Sequence, residues 1–456
     1  MKINHLILGP VLAAAIFSLM RYNDVLYSPA ITAAITLLTA WWWATEALPI
    51  PATSLLPFAA FPLFGVMGHK QAASGLGSHV ILLLMGGFIM AKALERTGAH
   101  QRFALLILRL VGSRSNKQLV AAFMLAAAFL SMWVSNTATC LMLMPIALAS
   151  LAQINNPKMT MPLILSVAYA CSIGGIATLI GTPPNVIFAG IYEEVIGKEF
   201  GFLAWLKIGL PIVLVILPIA WLWLTRNVTG SCQVLLPARE AWSVDQKRVV
   251  TVFVLIVFAW IFRSEPFGGW TGLVGLNTVG DSSIALFGAF LMFLVRSEKS
   301  GGLLDWNTAI KIPWGVLLMF AAGITIAKAF FASGLADLIG VALSGVVGGL
   351  PIFVLILLIC LIITFMTELN SNVATTTLVI PIMAATSAAT NIPPELLMIP
   401  ATISASCAFM LPVATAPNAI AYATEEITVK QMMREGLGLN LILAVAISGM
   451  CFLLLT

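Results

Sequence analysis

Long apolar stretches separated by short polar ones run along almost the whole chain. An apolar stretch of about 20 residues is long enough to cross a bilayer as an α-helix. Eleven stretches of roughly this kind occur, near residues 5–22, 31–49, 54–68, 79–98, 160–192, 203–225, 248–264, 283–296, 313–334, 395–424 and 434–455. The pattern predicts an all-α polytopic membrane protein with eleven transmembrane helices.

Two further apolar blocks, 118–150 and 350–388, carry polar residues in their middle. The first holds Ser135-Asn136-Thr137, the first Ser-Asn tip, and the second holds Ser371-Asn372-Val373, the second Ser-Asn tip. A lipid-facing helix would not place such residues at its centre, whereas irregular backbone is tolerated at this depth when it is buried in protein or lines a cavity. Each block therefore predicts a re-entrant hairpin with the polar residues at its tip.

The two tips lie 236 positions apart, and other features recur at the same displacement. These are Pro145 with Pro381, the Ala-Lys-Ala triplets 91–93 and 327–329, and Gly98 with Gly334. Recurrence at one fixed displacement indicates a duplicated unit. We expect an N-terminal helix in 1–30, a first repeat in 31–225, a linker in 226–247 and a second repeat in 248–456. Five crossings in the first repeat would invert the second, as in secondary transporters, so that the hairpins enter from opposite faces.

The charged residues fix the orientation of this topology. Only 9% of the 456 residues are charged, against about 25% in soluble proteins. With the N-terminus in the cytoplasm, 16 of the 23 basic residues fall in inside loops and five outside. This bias predicts a plasma (bacterial inner) membrane protein with a cytoplasmic N-terminus and an external C-terminus.

A second pair of polar interruptions follows the hairpins. The first helix break is Gly181-Thr182-Pro183-Pro184-Asn185, and the second is Thr415-Ala416-Pro417-Asn418. Proline interrupts a helix, which leaves free carbonyls for a cation and a half-helix N-terminus for an anion. A single break would be read as an ordinary proline kink, but two breaks downstream of two Ser-Asn tips favour a binding site.

The stretches around the tips contain no lysine or arginine. A multivalent anion bound there would need a co-bound cation as its main source of positive charge, which makes cation coupling attractive. Glu368 is the one acid beside a tip. It is either a proton or cation site, or it pairs with a helix end.

Several other function classes find no support in the sequence. The six cysteines and four histidines are scattered, which argues against disulfides, haem or zinc. No nucleophile–base constellation is visible, so we expect no enzyme, and the dispersed basic residues suit no nucleic-acid partner. An anion channel is disfavoured because no ring of basic residues offers a pore.

The tips and breaks, with WWWATEALPIPATSLLP (41–57), GDSSIALFGAFLMFLV (280–295) and DWNTAIKIPWGVLLMFAAG (305–323), resemble the divalent anion:sodium symporter family. The resemblance covers about 31–455. It implies a homodimer held by a scaffold domain, with a transport domain that carries both hairpins and moves as an elevator. It also implies that Na+ and a small di- or tricarboxylate are the partners.

The resemblance further implies which residues bind each partner. One sodium falls near Ser131, Ser135, Asn136 and Gly181, and the other near Thr367, Asn370, Asn372 and Thr415. Substrate carboxylates would meet Ser135, Asn136, Thr137, Thr182, Ser371, Asn372, Val373 and Pro417. Val373 stands where a symmetric pair would have threonine, which removes a hydroxyl. We therefore expect sodium-coupled import of C4-dicarboxylates such as succinate, malate or fumarate, with a citrate or tricarboxylate symporter and a sodium-independent dicarboxylate exchanger as alternatives.

The charge bias leads to a test of the topology. A cysteine introduced into the linker 226–247 should react with an impermeant thiol reagent from the cytoplasmic side, and one at Thr456 from the outer side. Labelling of intact cells and of inverted membrane vesicles measures this. A linker labelled from outside would overturn the inverted arrangement.

Overall fold

The structure is a computed structural model. It describes residues 2–154, 156–232, 234, 241–276, 278–298, 301–347 and 349–456. Part of the predicted linker, with Arg239, and the loop residue Lys299 lie outside the described residues. All named elements in the described residues are helical. The predicted all-α class is therefore confirmed.

Twelve α-helices and a single 3-10 turn precede the linker within the described residues. The helices are α1 Lys2–Tyr22, α2 Tyr27–Thr45, α3 Ile50–Thr53, α4 Leu56–Leu63, α5 His69–Ala73, α6 His79–Thr97, α7 Ala99–Val111, α8 Asn116–Ser131, α9 Asn136–Leu151, α10 Thr160–Gly175, α11 Pro183–Ile196 and α12 Phe202–Thr225.

Eleven more follow in the described part of the second half. They are α13 Val244–Ile261, α14 Gly269–Val274, α15 Asp281–Leu294, α16 Trp306–Ala309, α17 Trp314–Ser333, α18 Leu335–Val347, α19 Ile352–Leu369, α20 Asn372–Thr390, α21 Pro394–Ala405, α22 Ala416–Tyr422 and α23 Val429–Leu455.

Local sequence explains several of the boundaries. Helices α6 and α17 end at Gly98 and Gly334, whose φ angles of 70° and 79° place them in the left-handed region that glycine adopts without strain. Helices α13 and α23 begin with capping boxes on Ser243 and Thr428, in which side chain and backbone exchange hydrogen bonds. The duplicated glycines thus stop two helices at corresponding points.

One predicted span is much shorter in the structure, and two are interrupted where the helix breaks were predicted. The stretch 54–68 contains only the short helix α4, with Pro57 at its start and Pro62 inside it. The stretches 160–192 and 395–424 are each two helices, α10 with α11 and α21 with α22, and the predicted breaks lie between them. Proline lacks the N–H that continues a helix, so apolar length alone overestimates the continuity of these segments.

Six helices in the described chain are long and apolar enough to cross a membrane. They are Asn4–Tyr22, Phe202–Thr225, Trp314–Ser333, Ile352–Leu369, Asn372–Thr390 and Val429–Leu455. These helices support a multi-pass membrane protein. The count of eleven crossings and the division into repeats stay predictions.

The helices that carry the polar stretches pack closely against one another. A Cβ atom on Gly174 of α10 would lie 2.3 Å from the carbonyl oxygen of Ala128 on α8, so the two backbones meet where only glycine fits. Across the halves, α9 contacts α22 and α11 contacts α20. Tyr169 on α10 donates a hydrogen bond of 2.6 Å to the carbonyl of Phe409. The two polar regions therefore form one body.

The native cysteines should react little with the thiol reagent in the labelling test. All six are buried in the described chain. Burial also raises the pKa of the Cys232 thiol in the linker, which lowers its thiolate fraction and its reactivity. Ser231 and Thr456 are exposed, so Ser231→Cys and Thr456→Cys are suitable reporters.

Candidate functional site

The first Ser-Asn tip joins α8 to α9. Ser135 caps α9, because its hydroxyl accepts a hydrogen bond of 3.2 Å from the N–H of Ala138. Behind it lies Ser131, whose fully buried hydroxyl contacts both the Oδ1 atom of Asn136 and, at 2.7 Å, the carbonyl of Cys171. A serine hydroxyl has one proton and serves only one acceptor at a time. Two acceptor oxygens therefore compete for one donor here.

The second Ser-Asn tip repeats this arrangement between α19 and α20. The buried hydroxyl of Thr367 lies 2.9 Å from Oδ1 of Asn372 and 3.0 Å from the carbonyl of Ala405. Asn370, the other predicted sodium ligand here, accepts a hydrogen bond from the N–H of Ser371. The same hydroxyl–amide–carbonyl cluster therefore occurs at both tips.

Two buried asparagines hold the helix breaks in shape. The amide of Asn185 donates to the carbonyls of Gly175 and Thr178 at 3.1 and 2.8 Å. The amide of Asn418 donates to the carbonyls of Ala408 and Leu411 at 2.9 and 3.1 Å. These carbonyls lie at or just beyond the ends of α10 and α21, outside the regular hydrogen bonding of the helices, and the asparagines bind them there. The sequence pattern does not predict this role for either residue, although both stand beside proline in the breaks.

The first break also lies against the first tip. A Cβ atom on Gly181 would come within 2.5 Å of the carbonyl oxygen of Gly175, and one on Gly175 within 2.9 Å of Oδ1 of Asn136. Larger residues would force the break and the tip apart. The predicted cation ligands Asn136 and Gly181 are therefore brought together by tight backbone packing.

Glu368 organises the second break. Its carboxylate accepts hydrogen bonds from the backbone N–H groups of Phe409, Met410 and Leu411, at 2.6, 2.9 and 3.0 Å. The amide of Asn440 on α23 adds a fourth, at 2.7 Å. The carboxylate of Glu368 therefore binds the loop between α21 and α22 and not a helix end.

One cavity of about 440 Å³ connects both tips and both breaks. Its wall contains all eight residues predicted to meet substrate, which are Ser135, Asn136, Thr137, Thr182, Ser371, Asn372, Val373 and Pro417, together with Gly181 and Thr415. Ser131, Thr367 and Asn370 are not in the wall. Ser131 and Thr367 reach it through their contacts with Asn136 and Asn372.

Four helices begin at this cavity. The residues that precede the first turns of α9, α11, α20 and α22 are Ser135, Thr182, Ser371 and Thr415, and all four line it. A helix N-terminus carries unpaired N–H groups and about half a positive charge, which favours anions. The cavity is therefore arranged to receive an anion. A separate crevice of about 210 Å³, between α13 and α8, is lined by apolar side chains and His100 and offers no comparable set of donors.

The structure corrects the expectation that no basic residue lies near the tips. Lys92 on α6 and Lys311, just before α17, line the same cavity, and so does Glu95. The sequence does not group these residues with the tips, because they are distant along the chain from either one. A lysine inside an apolar span itself indicates a functional site, and Lys92 lies inside the predicted span 79–98.

The comparisons with known proteins agree with one another. The citrate transporter family matches residues 40–394. The sodium-dependent dicarboxylate transporter SdcS of Staphylococcus saprophyticus is 38% identical over 97% of this chain and 89% of its own length. SdcS of Staphylococcus aureus is 39% identical with the same coverage.

Two solved structures share the fold. The Alcanivorax borkumensis YdaH transporter aligns with a TM-score of 0.58 at 16% identity, over 92% of this chain and 98% of its own. Neisseria gonorrhoeae MtrF, described as one of a class of antimetabolite efflux pumps, aligns with a TM-score of 0.58 at 14% identity, over 88% of this chain and 83% of its own. At these identities the likeness shows the fold alone.

Glu368 provides a test of this geometry. Glu368→Gln should lower the free energy of unfolding by roughly 1–3 kcal/mol. A neutral amide oxygen accepts hydrogen bonds more weakly than a carboxylate, and the amide NH2 group would face the backbone N–H donors of the loop. Thermal unfolding in detergent would measure the loss. Glu426→Gln is the matched control, since Glu426 is exposed and should leave the midpoint unchanged. Equal midpoints for the two variants would contradict the role of Glu368.

Proposed function

Because the chain belongs to the divalent anion:sodium symporter family, we propose that it imports C4-dicarboxylates such as succinate together with sodium. It is a transport protein rather than an enzyme. The observation that carries the proposal is the single cavity in which both Ser-Asn tips and four helix starts meet. The names of the relatives support the choice of sodium and a dicarboxylate.

The two oxygen clusters are the proposed sodium sites. Ser131, Asn136 and the carbonyl of Cys171 supply one, and Thr367, Asn372 and the carbonyl of Ala405 supply the other. Neutral oxygen ligands suit a hard cation. In the described residues no group of three or more histidine, cysteine or acidic side chains is placed to hold a metal, so these clusters fit a monovalent ion better than a multivalent one.

The order of helices supports an inverted repeat. Helices α6 to α12 correspond in order to helices α17 to α23. The tips lie between α8 and α9 and between α19 and α20. The breaks lie between α10 and α11 and between α21 and α22. On this basis we propose that the two tip regions are re-entrant hairpins, and the family resemblance extends the proposal to an elevator-type homodimer. We place Lys311 and the end of α6 on the cytoplasmic side, so the part of the cavity wall that they form lies on that side.

A citrate or tricarboxylate symporter and a sodium-independent exchanger would use the same cavity. The missing hydroxyl at Val373 favours a smaller substrate over citrate, because it leaves one donor fewer for a third carboxylate. Uptake of labelled succinate, with and without a sodium gradient, separates the symporter from the exchanger. Counterflow in proteoliposomes would separate both from a channel.

The asparagines at the tips should be essential. Asn136→Ala and Asn372→Ala should each abolish sodium-driven succinate uptake, since each removes an oxygen from a cation cluster and a polar group from the cavity wall. Asn23→Ala, at an exposed position, is the control. Normal uptake by a well-folded Asn136→Ala protein would contradict the assignment.

Sodium and substrate should tighten each other's binding. By linkage, sodium should raise the affinity for succinate by the same factor that succinate raises the affinity for sodium. Calorimetry of the purified protein in sodium and choline buffers measures this. Equal succinate affinity in both buffers would reject sodium coupling and favour the exchanger.

Loss of a proposed cation ligand should weaken the binding of sodium before it affects the binding of substrate. Ser131→Ala and Thr367→Ala should raise the sodium concentration needed for half-maximal uptake. Thr364→Ala is a matched control for Thr367→Ala, because Thr364 is buried on the same helix one turn earlier and its hydroxyl has no hydrogen-bond partner in the described chain. If Thr364→Ala had the same effect as Thr367→Ala, general loss of packing would explain both.

A further inference from the structure

The cavity wall carries one more positive than negative side chain. Lys92 is paired with Glu95 on the same helix, with Nζ and Oε2 2.5 Å apart. Lys311 is exposed and has no ion-pair partner within contact distance in the described chain. The net positive charge of the wall therefore comes from Lys311, because the charge of Lys92 is balanced by its ion pair with Glu95.

The position of Lys311 is fixed by hydrogen bonds and an ion pair. The carboxylate of Asp305 caps α16 through the N–H of Thr308 at 2.8 Å, and the N–H of Lys311 donates to the carbonyl of Thr308 at 3.1 Å. Arg96 holds Asp305 at 2.9 Å and also donates to the carbonyl of Leu303. Because Arg96 follows Glu95 directly, the end of α6 ties the turn of Lys311 to the Lys92–Glu95 pair.

We propose that Lys311 and Lys92 form a second carboxylate subsite, which holds the di- or tricarboxylate between the Ser-Asn tips and the cytoplasm. The subsite receives the substrate on its release during import and captures it first during efflux. This proposal rests on the proposed function, since it needs a carboxylate that passes through this cavity.

The location of these lysines favours a ligand role over a role in orientation alone. A lysine that only sets topology faces bulk water or headgroups, whereas Lys92 and Lys311 share one cavity wall with Asn136 and Asn372. The cavity volume of about 440 Å³ is many times the space that one water molecule needs. It can therefore hold an anion away from the tips as well as one at them.

The expected strength of the subsite is modest. Ion pairs at partly exposed positions change an equilibrium by a factor of about 1.5 to 5, and salt screens them. Such weak binding suits a site that the substrate occupies only briefly, because a tight second site would retain the substrate. Glu95 contributes to this weakness by competing with the substrate for Lys92.

Inverted membrane vesicles, in which the cytoplasmic face is outermost, provide the test. With sodium fixed and ionic strength set by choline chloride, Lys311→Gln should raise the KM for succinate at this face about two- to fivefold at low ionic strength. The increase should vanish near 1 M salt, where the Debye length is about 3 Å. Lys311→Arg should keep the wild-type KM, and right-side-out vesicles should show no change at the outer face.

The matched control is Lys117→Gln, which removes the same charge from an exposed lysine that does not line the cavity. Glu95→Gln gives a prediction of opposite sign: it frees Lys92 and should lower the KM at the cytoplasmic face. A loss of packing would not improve binding, so this reversal separates charge from structural damage.

The outcomes distinguish this proposal from the proposed function. If wild-type vesicles transport succinate with sodium but Lys311→Gln behaves as Lys117→Gln does, only the subsite is overturned. A KM raised by Glu95→Gln as well as by Lys311→Gln would also overturn it. If wild-type vesicles transport no carboxylate, the proposed function fails and the subsite fails with it.

Discussion

Interrupted helices inside an apolar protein are the constraint on which this structure depends. Each interruption leaves carbonyl and N–H groups without helical partners, and a polar group that is buried without any partner costs about 1–3 kcal/mol. The chain meets this cost with specific side chains. Asn185 and Asn418 satisfy the carbonyls of the two breaks, and Glu368 satisfies three N–H groups of the second. The groups left free at the cavity are then available to ligands.

Electrostatics decides what those free groups can hold. A helix N-terminus stabilises an anion by about 0.3–1 kcal/mol, and by about 2 kcal/mol in favourable partly buried geometry. Removing an ion from water costs several kcal/mol even after the protein relaxes, and a dicarboxylate carries two charges. The helix starts at the cavity favour an anion but fall short of compensating a dianion alone. Cations at the two oxygen clusters would supply the remaining charge.

The sequence predicted the polar elements of the site better than its charged ones. The 236-residue displacement pointed to Asn136 and Asn372, and the structure places both in one cavity. Apolar length predicted the helical class, and the proline motifs at 181–185 and 415–418 predicted the interruptions between α10 and α11 and between α21 and α22. Lys311 could not be predicted, since its approach to the cavity depends on Arg96 and Asp305, which are 209 positions apart along the chain.

The two halves also differ at positions that correspond in the duplicated sequence. Lys92 and Lys328 occupy corresponding positions, yet Lys92 lines the cavity with Glu95 while Lys328 contacts Glu194 on α11 at 3.1 Å and Ser74 at 2.7 Å. Glu368 corresponds to Met132, and within the described residues only the second break has a carboxylate that holds its backbone. The first break relies instead on Gly175, Gly181 and close backbone contact. A repeat therefore places ligand groups symmetrically, whereas the residues that hold each break and set the charge of the cavity are particular to each half.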